Sequence, residues 1–435
     1  MEKRGQHHSS RPRMIFGGEM CGWENLLAIE AAPEEVRELR KRIHQVIGTK
    51  PALSKFHELQ ETEVHRFLLR TLRKPEDVVQ HIKTEAGAII LKGAYGYTIE
   101  PEKTDPLVDV ADNALMQFSL ATVPGAWMVD MLPALRYLPE WVPGTGFKST
   151  AREWKSTLME LAEKPHEFVK HQMAEKQNAE SYVAKLYQQA NGTTSAQEES
   201  RIRWSAAALY TGGADTSVST MSLFFLAMTV NPNVQVKARE EIDRVICNHR
   251  LPALADRPNL PYVEAVVKEC FRWHPIAPMG LPHVTTKDDI YQGHLIPKGA
   301  MLIPNIWLVT HDPKVYDDPM TFNPNRFLSE SPPPDPRDFV FGFGRRICPG
   351  RLLAESSVWL TVARSLAVFD IAKGFEHGEE IEPDVRFTPG IISHPLPFKA
   401  SIKPRSKDYE ELIRAVEVDH PWEASDADKL RSVGD

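Results

Sequence analysis

At 435 residues the chain is long enough to bury a large core, and 42% apolar with 26% charged residues excludes a disordered or fibrous protein. A formal charge of −7 leaves no basic excess for neutralising phosphates, which argues against nucleic acid as a partner. Four cysteines, Cys21, Cys247, Cys270 and Cys348, are too few and scattered for a disulfide framework and form no C-x-x-C pair, which fits a reducing compartment.

The first residues, Met1 to His8, are polar, unlike a signal peptide or anchor. The greasiest run, Leu223 to Val230, falls far short of the roughly 20 apolar residues that cross a bilayer. Arg37 to Arg42 predicts a basic helix, whose charges either hold a ligand or face water. Arg201 to Thr229 lacks proline and is mostly apolar, which predicts one long buried helix ending before Asn231-Pro232. Pro261 opens a second helix, Tyr262 to Trp273, stopped by Pro275. Residues 276 to 345 are proline-rich, with short β-type runs such as Met301-Leu302-Ile303. Helix returns after Gly350, from Leu352 to Phe369. No repeat or Gly/Ser linker divides the chain. The expected fold is mainly α with small β-sheets (α+β): one domain over 1–405, then an acidic tail over 406–435. That tail reads as solvated, with a docked short helix as the alternative.

The segment Phe341-Gly342-Phe343-Gly344-Arg345-Arg346-Ile347-Cys348-Pro349-Gly350 carries the most chemistry. Its glycines permit tight turns and close approach to a flat ligand, and Arg346 is placed to pair with a ligand carboxylate. The helix that follows points unpaired N–H groups toward Cys348, which favours an anionic sulfur. The other three cysteines read as small core residues. In the long helix, Gly212-Gly213-Ala214-Asp215-Thr216-Ser217 sets two glycines side by side, at about 1 kcal/mol each against alanine. The Thr216 hydroxyl can reach the Gly212 carbonyl and open a groove there, whereas close packing of small residues is the plainer use of such a pair.

The order F-x-x-G-x-R-x-C-x-G resembles the haem-binding signature of cytochromes P450, with every fixed position present. The resemblance covers about Arg4 to Lys403 and implies the P450 fold, with haem b ligated axially by the Cys348 thiolate. Phe341, Gly344, Arg346 and Gly350 then stand at cofactor-contacting positions. Gly212 to Ser217 resembles the oxygen-activation run of the family, which implies proton-handling roles for Thr216 and Asp215. Glu269-Cys270-Phe271-Arg272 and Phe322-Asn323-Pro324-Asn325-Arg326-Phe327 resemble the E-x-x-R and P-x-R-F segments. Glu269, Arg272 and Arg326 are thus expected to brace the cysteine loop, with Asn325 where an acid is usual. Val36-Arg37-Glu38-Leu39-Arg40 resembles W-R-x-x-R with Val36 for tryptophan, which makes Arg40, with His283, a candidate for the haem propionates.

Mapped in the same way, Leu209, Gly213, Ile276, Met279, Leu281 and Ile391 line a substrate pocket, an apolar one that suits a hydrophobic small molecule. The tryptophans and prolines between 121 and 144 look like the family's lipid-facing connection, with buried packing the equal alternative. Family members sit at the cytosolic face of the endoplasmic reticulum. Their usual N-terminal anchor, hinge, first helix and first strands have no counterpart here, so the strand near Met301 is expected to lie in a sheet short of partners. The wider texture resembles fungal members of secondary metabolism. The implied activity is a monooxygenase that takes O2 and electrons from NADPH through NADPH-cytochrome P450 reductase. A non-catalytic haem-binding relic, and a reductase-independent peroxide isomerase or dehydratase, are the other classes.

Overall fold

In the segment Pro33–Ile47, Val36, Leu39, Ile43 and Ile47 recur every three or four positions, and all four are buried. The same periodicity repeats along the computed structural model, which describes residues 1–190, 194–247 and 249–431. Counting helices of eight residues or more, this first one is α1. It is followed by α2 (His57–Arg73), α3 (Val78–Tyr95), α4 (Pro106–Ala121) and α5 (Phe147–Ala174). Next come α6 (Tyr182–Gln189), α7 (Ala196–Ala214), α8 (Thr216–Val230) and α9 (Pro232–Ile246). The series closes with α10 (Pro261–Trp273), α11 (Arg351–Val368) and α12 (Lys407–Arg414). Proline opens α1, α4, α9 and α10 at a position where its missing N–H costs nothing. Among the described residues no helix is long and apolar enough to cross a membrane.

One expectation changes in the middle of the chain. The proline-free run from Arg201 does not form a single helix. Asp215, at φ −129° and ψ −40°, separates α7 from α8. Two glycines weaken the ladder there, and the Asp215 carboxylate is held by His394 rather than by its own helix.

Among the described residues the strands form four antiparallel pairs. They are β1 (His283–Val284) with β4 (Met301–Leu302), and β2 (Asp289–Tyr291) with β3 (His294–Ile296). Likewise β5 (Phe369–Lys373) pairs with β8 (Ala400–Pro404), and β6 (Phe375–Glu376) with β7 (Glu379–Glu380). The strand at Met301 does sit in a two-stranded sheet, extended by a bridge in which the Val284 N–H donates to the Ser10 carbonyl at 2.9 Å.

The acidic C-terminal stretch is not a solvated tail along its length. Tyr409 and Ile413, one turn apart on α12, are buried against α2, and Val416 follows them inward. The Trp422 ring lies 4.8 Å from the Arg66 guanidinium. One apolar cluster gathers residues of α4, α5 and α7, and another those of α2, α8, α10 and α11. A cavity lies between them, lined from both sides.

Candidate active site

The cysteine loop hangs between α10 and α11. Gly342 and Gly344, at φ +80° and +56°, take left-handed turns that a β-carbon would strain. The Cys348 N–H donates to the Phe341 carbonyl at 2.7 Å, which closes the loop on itself. The Phe341 ring packs on Phe271 of α10 with centroids 5.4 Å apart. Just before the loop, Arg337 grips Asp335 at 2.8 Å, Glu264 of α10 at 2.7 Å and Glu355 of α11 at 3.4 Å. The loop is therefore anchored on both flanking helices.

Cys348 borders the cavity. Burial pushes its thiol above the ordinary value, while the Gly350 N–H, Arg40 and Arg351 pull it back. The Gly350 N–H thus acts in the direction the sequence implies, toward an anionic sulfur, but burial outweighs it. A cation at the sulfur reverses that balance, as a metal does when it displaces the thiol proton.

Across the cavity, α7 ends in the Gly-Gly pair. A β-carbon at Gly212 would meet open space, whereas one at Gly213 would stand 2.4 Å from Ile90. The glycines thus divide two tasks: Gly213 lets α7 pass α3, and Gly212 leaves its backbone bare toward the cavity. The Thr216 hydroxyl donates to the Gly212 carbonyl at 2.7 Å. Behind it, the buried Asp215 carboxylate accepts from His394 Nε2 at 3.1 Å. The backbone of His394 is fixed in turn, its N–H donating to Thr388 Oγ1 at 2.9 Å. His274 lines the cavity, its ring stacked on Phe387, and burial pushes it down to about 4, so it is neutral near pH 7.

One rim of the cavity gathers Arg11, Arg40, Arg346 and His283. Arg11 donates to the Ala28, Leu281 and Pro282 carbonyls at 2.8, 2.9 and 2.7 Å. Arg346 donates to the carbonyls of Ser9, Leu27 and Glu30. Among the described residues no carboxylate lies within ion-pair distance of Arg11, Arg40 or Arg346. Burial, then Arg346, pushes Arg11 down to about 9, and burial, then Arg40, pushes Arg346 down to about 10. Three crowded guanidinium groups without counter-charge form a receptor for anions. His283 fits that role less well: its Nδ1 is engaged with the His8 carbonyl at 2.9 Å, and burial, then Arg11, pushes it down to about 4. Neutral His283 therefore presents Nε2 to the cavity as an acceptor.

These features fit haem. A cysteine sulfur that needs a cation, a cationic rim that needs anions and an apolar wall between them match the iron, the propionates and the porphyrin face.

The Glu269 carboxylate is fully buried on α10 and receives Arg272 Nε at 2.8 Å, Arg272 Nη2 at 2.7 Å and Arg326 Nε at 3.3 Å. The Asn323 N–H adds 2.8 Å, and Arg272 Nη1 donates to the Pro319 carbonyl at 2.7 Å. Asn325 turns to Asn323 Oδ1 and stays outside this cluster. Glu269→Gln leaves two buried guanidinium groups uncompensated, so a stability loss of about 3–5 kcal/mol is expected by denaturant titration. A loss below about 1 kcal/mol, the size expected of an exposed pair, means the cluster does not brace this region.

Leu209, Gly213, Ile276, Leu281, Ile391, Phe341, Arg40, Arg346, His283, Thr216, Cys348 and Gly350 all border the cavity. Three expected positions do not. Met279 is half-exposed, because the turn closed by the Gly280 N–H on the Ala277 carbonyl carries it outward. Gly344 faces the N-terminus, its N–H donating to Glu2 Oε1, so it shapes the loop without touching the cavity. Asp215 stands behind the wall. Sequence reasoning missed two residues: Arg11 in the rim and His394 on Asp215. Neither lies in a local motif; each is brought in by the chain's long-range path.

The Cytochrome P450 family model matches residues 1–402. The chain is 44% identical over 435 residues to "Cytochrome P450 monooxygenase ppsD" of Aspergillus oryzae, covering 99% of this chain and 82% of the relative. It is 46% identical to "Cytochrome P450 monooxygenase claR" of Ampulloclitocybe clavipes, covering 99% and 80%. It is 44% identical to the O-methylsterigmatocystin oxidoreductase of Aspergillus flavus, covering 94% and 77%. Among solved structures, a zebra fish cytochrome P450 determined with abiraterone superposes with a TM-score of 0.71 at 22% identity, covering 93% of this chain and 90% of that one. Sequence, fold and the sulfur-bearing cavity agree: the chain belongs to the cytochrome P450 family and is a haem-thiolate monooxygenase.

Proposed function

We propose that this monooxygenase oxidises a hydrophobic small molecule of fungal secondary metabolism, with Cys348 as the metal ligand and Thr216, Asp215 and His394 as its proton path. The observation that carries this reading is the sharing of one apolar cavity by Cys348, the unpaired arginine rim and the bare backbone at Gly212. Haem held there supplies the activation of oxygen, with electrons from NADPH through a reductase. The protein's own work is to hold, orient and protonate. Arg11, Arg40 and Arg346 fix the propionate edge. Leu209, Ile276, Leu281 and Ile391 press an apolar substrate toward the bare backbone. The Thr216 hydroxyl passes a proton into the groove and is recharged from Asp215, which exchanges with solvent through His394. The fungal relatives support the substrate class.

NADPH-dependent incorporation of labelled O2 into product, by purified enzyme with reductase, tests the reading. Product without NADPH favours an isomerase or dehydratase, and haem uptake without any product favours a relic.

The exposed side chains Arg37, Lys41 and Arg345 suit an acidic reductase surface. Between 121 and 144 the tryptophans divide: Trp127 stacks on Phe16, whereas Trp141 is 81% exposed beside exposed Tyr137 and Leu138. With Met116, Leu120, Met128, Met131 and Leu132 also exposed, this region suits peripheral contact with lipid.

Arg11 provides a direct check on the rim. Arg11→Ala is expected to speed haem loss to an acceptor protein about tenfold or more, the equivalent of one charge-assisted hydrogen bond. Arg11→Lys should recover part of that loss. Equal haem retention in all three proteins removes Arg11 from the propionate edge.

A further inference from the structure

A seam of polar side chains crosses the apolar core between α2, α3 and α11. On α2, Gln60, Glu63, Arg70 and Thr71 follow one face and are buried. Glu85 of α3 meets them with no exposed surface, and α11 adds Ser357, Thr361 and Arg364. Part of the seam is bonded. Gln60 Nε2 donates to the Ser356 and Ser357 hydroxyls at 2.8 Å, and the Thr361 hydroxyl donates to Glu85 Oε1 at 2.7 Å.

Glu63 Oε1 accepts from Arg66 at 2.6 Å, and Arg364 donates to the Pro252 and Glu61 carbonyls, but other atoms of the seam are not bonded within the protein. Glu85 Oε2, Gln60 Oε1, Thr71 Oγ1 and all three guanidinium nitrogens of Arg70 have no protein hydrogen-bond partner. Glu63 stands 3.8 Å from Arg70, too far for a hydrogen bond. Buried polar atoms find partners in protein or in ordered water, and so many orphans along one seam call for water.

The two ends of the seam differ. At the inner end, Glu85 and Ser357 line the same cavity as Cys348 and Thr216. At the outer end, Glu63 and Arg66 line an open cleft that Trp422 partly covers. Burial pushes the Glu85 carboxyl up to about 8 against the Thr361 hydroxyl, Arg70 and Arg364, with Glu63 adding to the rise. At neutral pH Glu85 therefore holds a proton, as a simple counter-ion for Arg70 would not.

We propose that this seam conducts protons from the cleft beside Trp422 to the cavity, with Glu85 as the acid at its inner end, by a route separate from His394 and Asp215. Glu85 gives its proton to a cavity water and becomes a carboxylate. It then takes a proton from a seam water, which bulk water at the cleft replenishes; no electrons move. The inference rests on the monooxygenase reaction, which takes up protons as the second oxygen atom leaves as water.

The test combines infrared spectroscopy of the holoenzyme across pH with product formed per NADPH consumed in H2O and D2O. Wild type should show a buried carboxylic acid band at neutral pH that shifts in D2O and fades near pH 8, with product formation declining over the same range. Glu85→Gln should lose the band and the alkaline decline, and should slow product formation toward the roughly 10²-fold contributed by a positioned acid. Thr361→Val keeps the carboxyl but removes a donor that lowers its pKa, so the fading and the decline should both move to higher pH. Absence of the band from wild type overturns the proposal, as does a haem-loaded Glu85→Gln with unchanged rate, pH profile and solvent isotope effect. Should Glu85→Gln fail to fold, an unmoved band and decline in Thr361→Val overturn it. The band is read without turnover, so its failure is distinct from a failure of the monooxygenase reaction.

Discussion

Cys348→Ala is expected to abolish the thiolate-type band of the reduced, carbon monoxide-bound enzyme and to bring NADPH-dependent product formation to background, while leaving the fold intact. The loop does not depend on the sulfur for its shape. Its backbone is closed by the Cys348 N–H on Phe341, and it is anchored by Arg337 and by the Phe271–Phe341 contact. Loss of one sulfur atom at a cavity wall costs about 1 kcal/mol, so helix content and melting should barely change. The chemistry is lost because Cys348 is, among the described residues, the one cysteine lining the cavity, and the neutral imidazoles of His274 and His283 carry no negative charge to stand in for a thiolate. Because burial holds the thiol above its ordinary value, iron binding must release its proton. Haem uptake by the apoprotein should therefore become more complete as pH rises. A thiolate-type band that persists in Cys348→Ala removes this residue as the ligand.

What could be read from the sequence follows from how local each feature is. The loop from Phe341 to Gly350 and the Glu269–Arg272 pair lie within ten residues or one helical turn, and their spacing expresses their geometry directly. The limits of α10 and α11 were legible for the same reason, since proline and glycine mark them. A loosened ladder at Gly212 and Thr216 was legible, but the full break at Asp215 was not, because its partner His394 lies 179 positions away. Arg11 was hidden likewise: its carbonyl acceptor Leu281 is 270 positions distant, and a single arginine near a terminus has no periodicity to betray it. Met279 was misplaced because it sits in the turn that the Gly280 N–H closes on the Ala277 carbonyl, where its side chain is half-exposed. On α12, the spacing of Tyr409 and Ile413 does encode a buried face, outweighed in the sequence by the acids around it.

Thr216→Ala should uncouple the enzyme, raising hydrogen peroxide released per NADPH consumed, and Asp215→Asn should slow product formation by about 10²-fold, the lower range for a positioned proton donor. The two effects differ because the residues stand at different depths. Thr216 lines the cavity and donates to Gly212, so its loss also closes the ladder and narrows the groove. Asp215 lies behind the wall, and its amide can accept from His394 but cannot take a proton from it. His394→Ala should fall between wild type and Asp215→Asn. Its loss leaves Asp215 able to exchange with water more slowly, which should enlarge the solvent isotope effect on product formation. His394→Gln, which preserves a donor near Asp215 but cannot carry a proton, separates holding from transfer: if transfer matters, it should resemble His394→Ala in isotope effect and wild type in stability. Unchanged coupling in Thr216→Ala with haem fully retained sinks the proton path at its inner step. An unchanged isotope effect in both His394 variants restricts the path to Asp215 and Thr216.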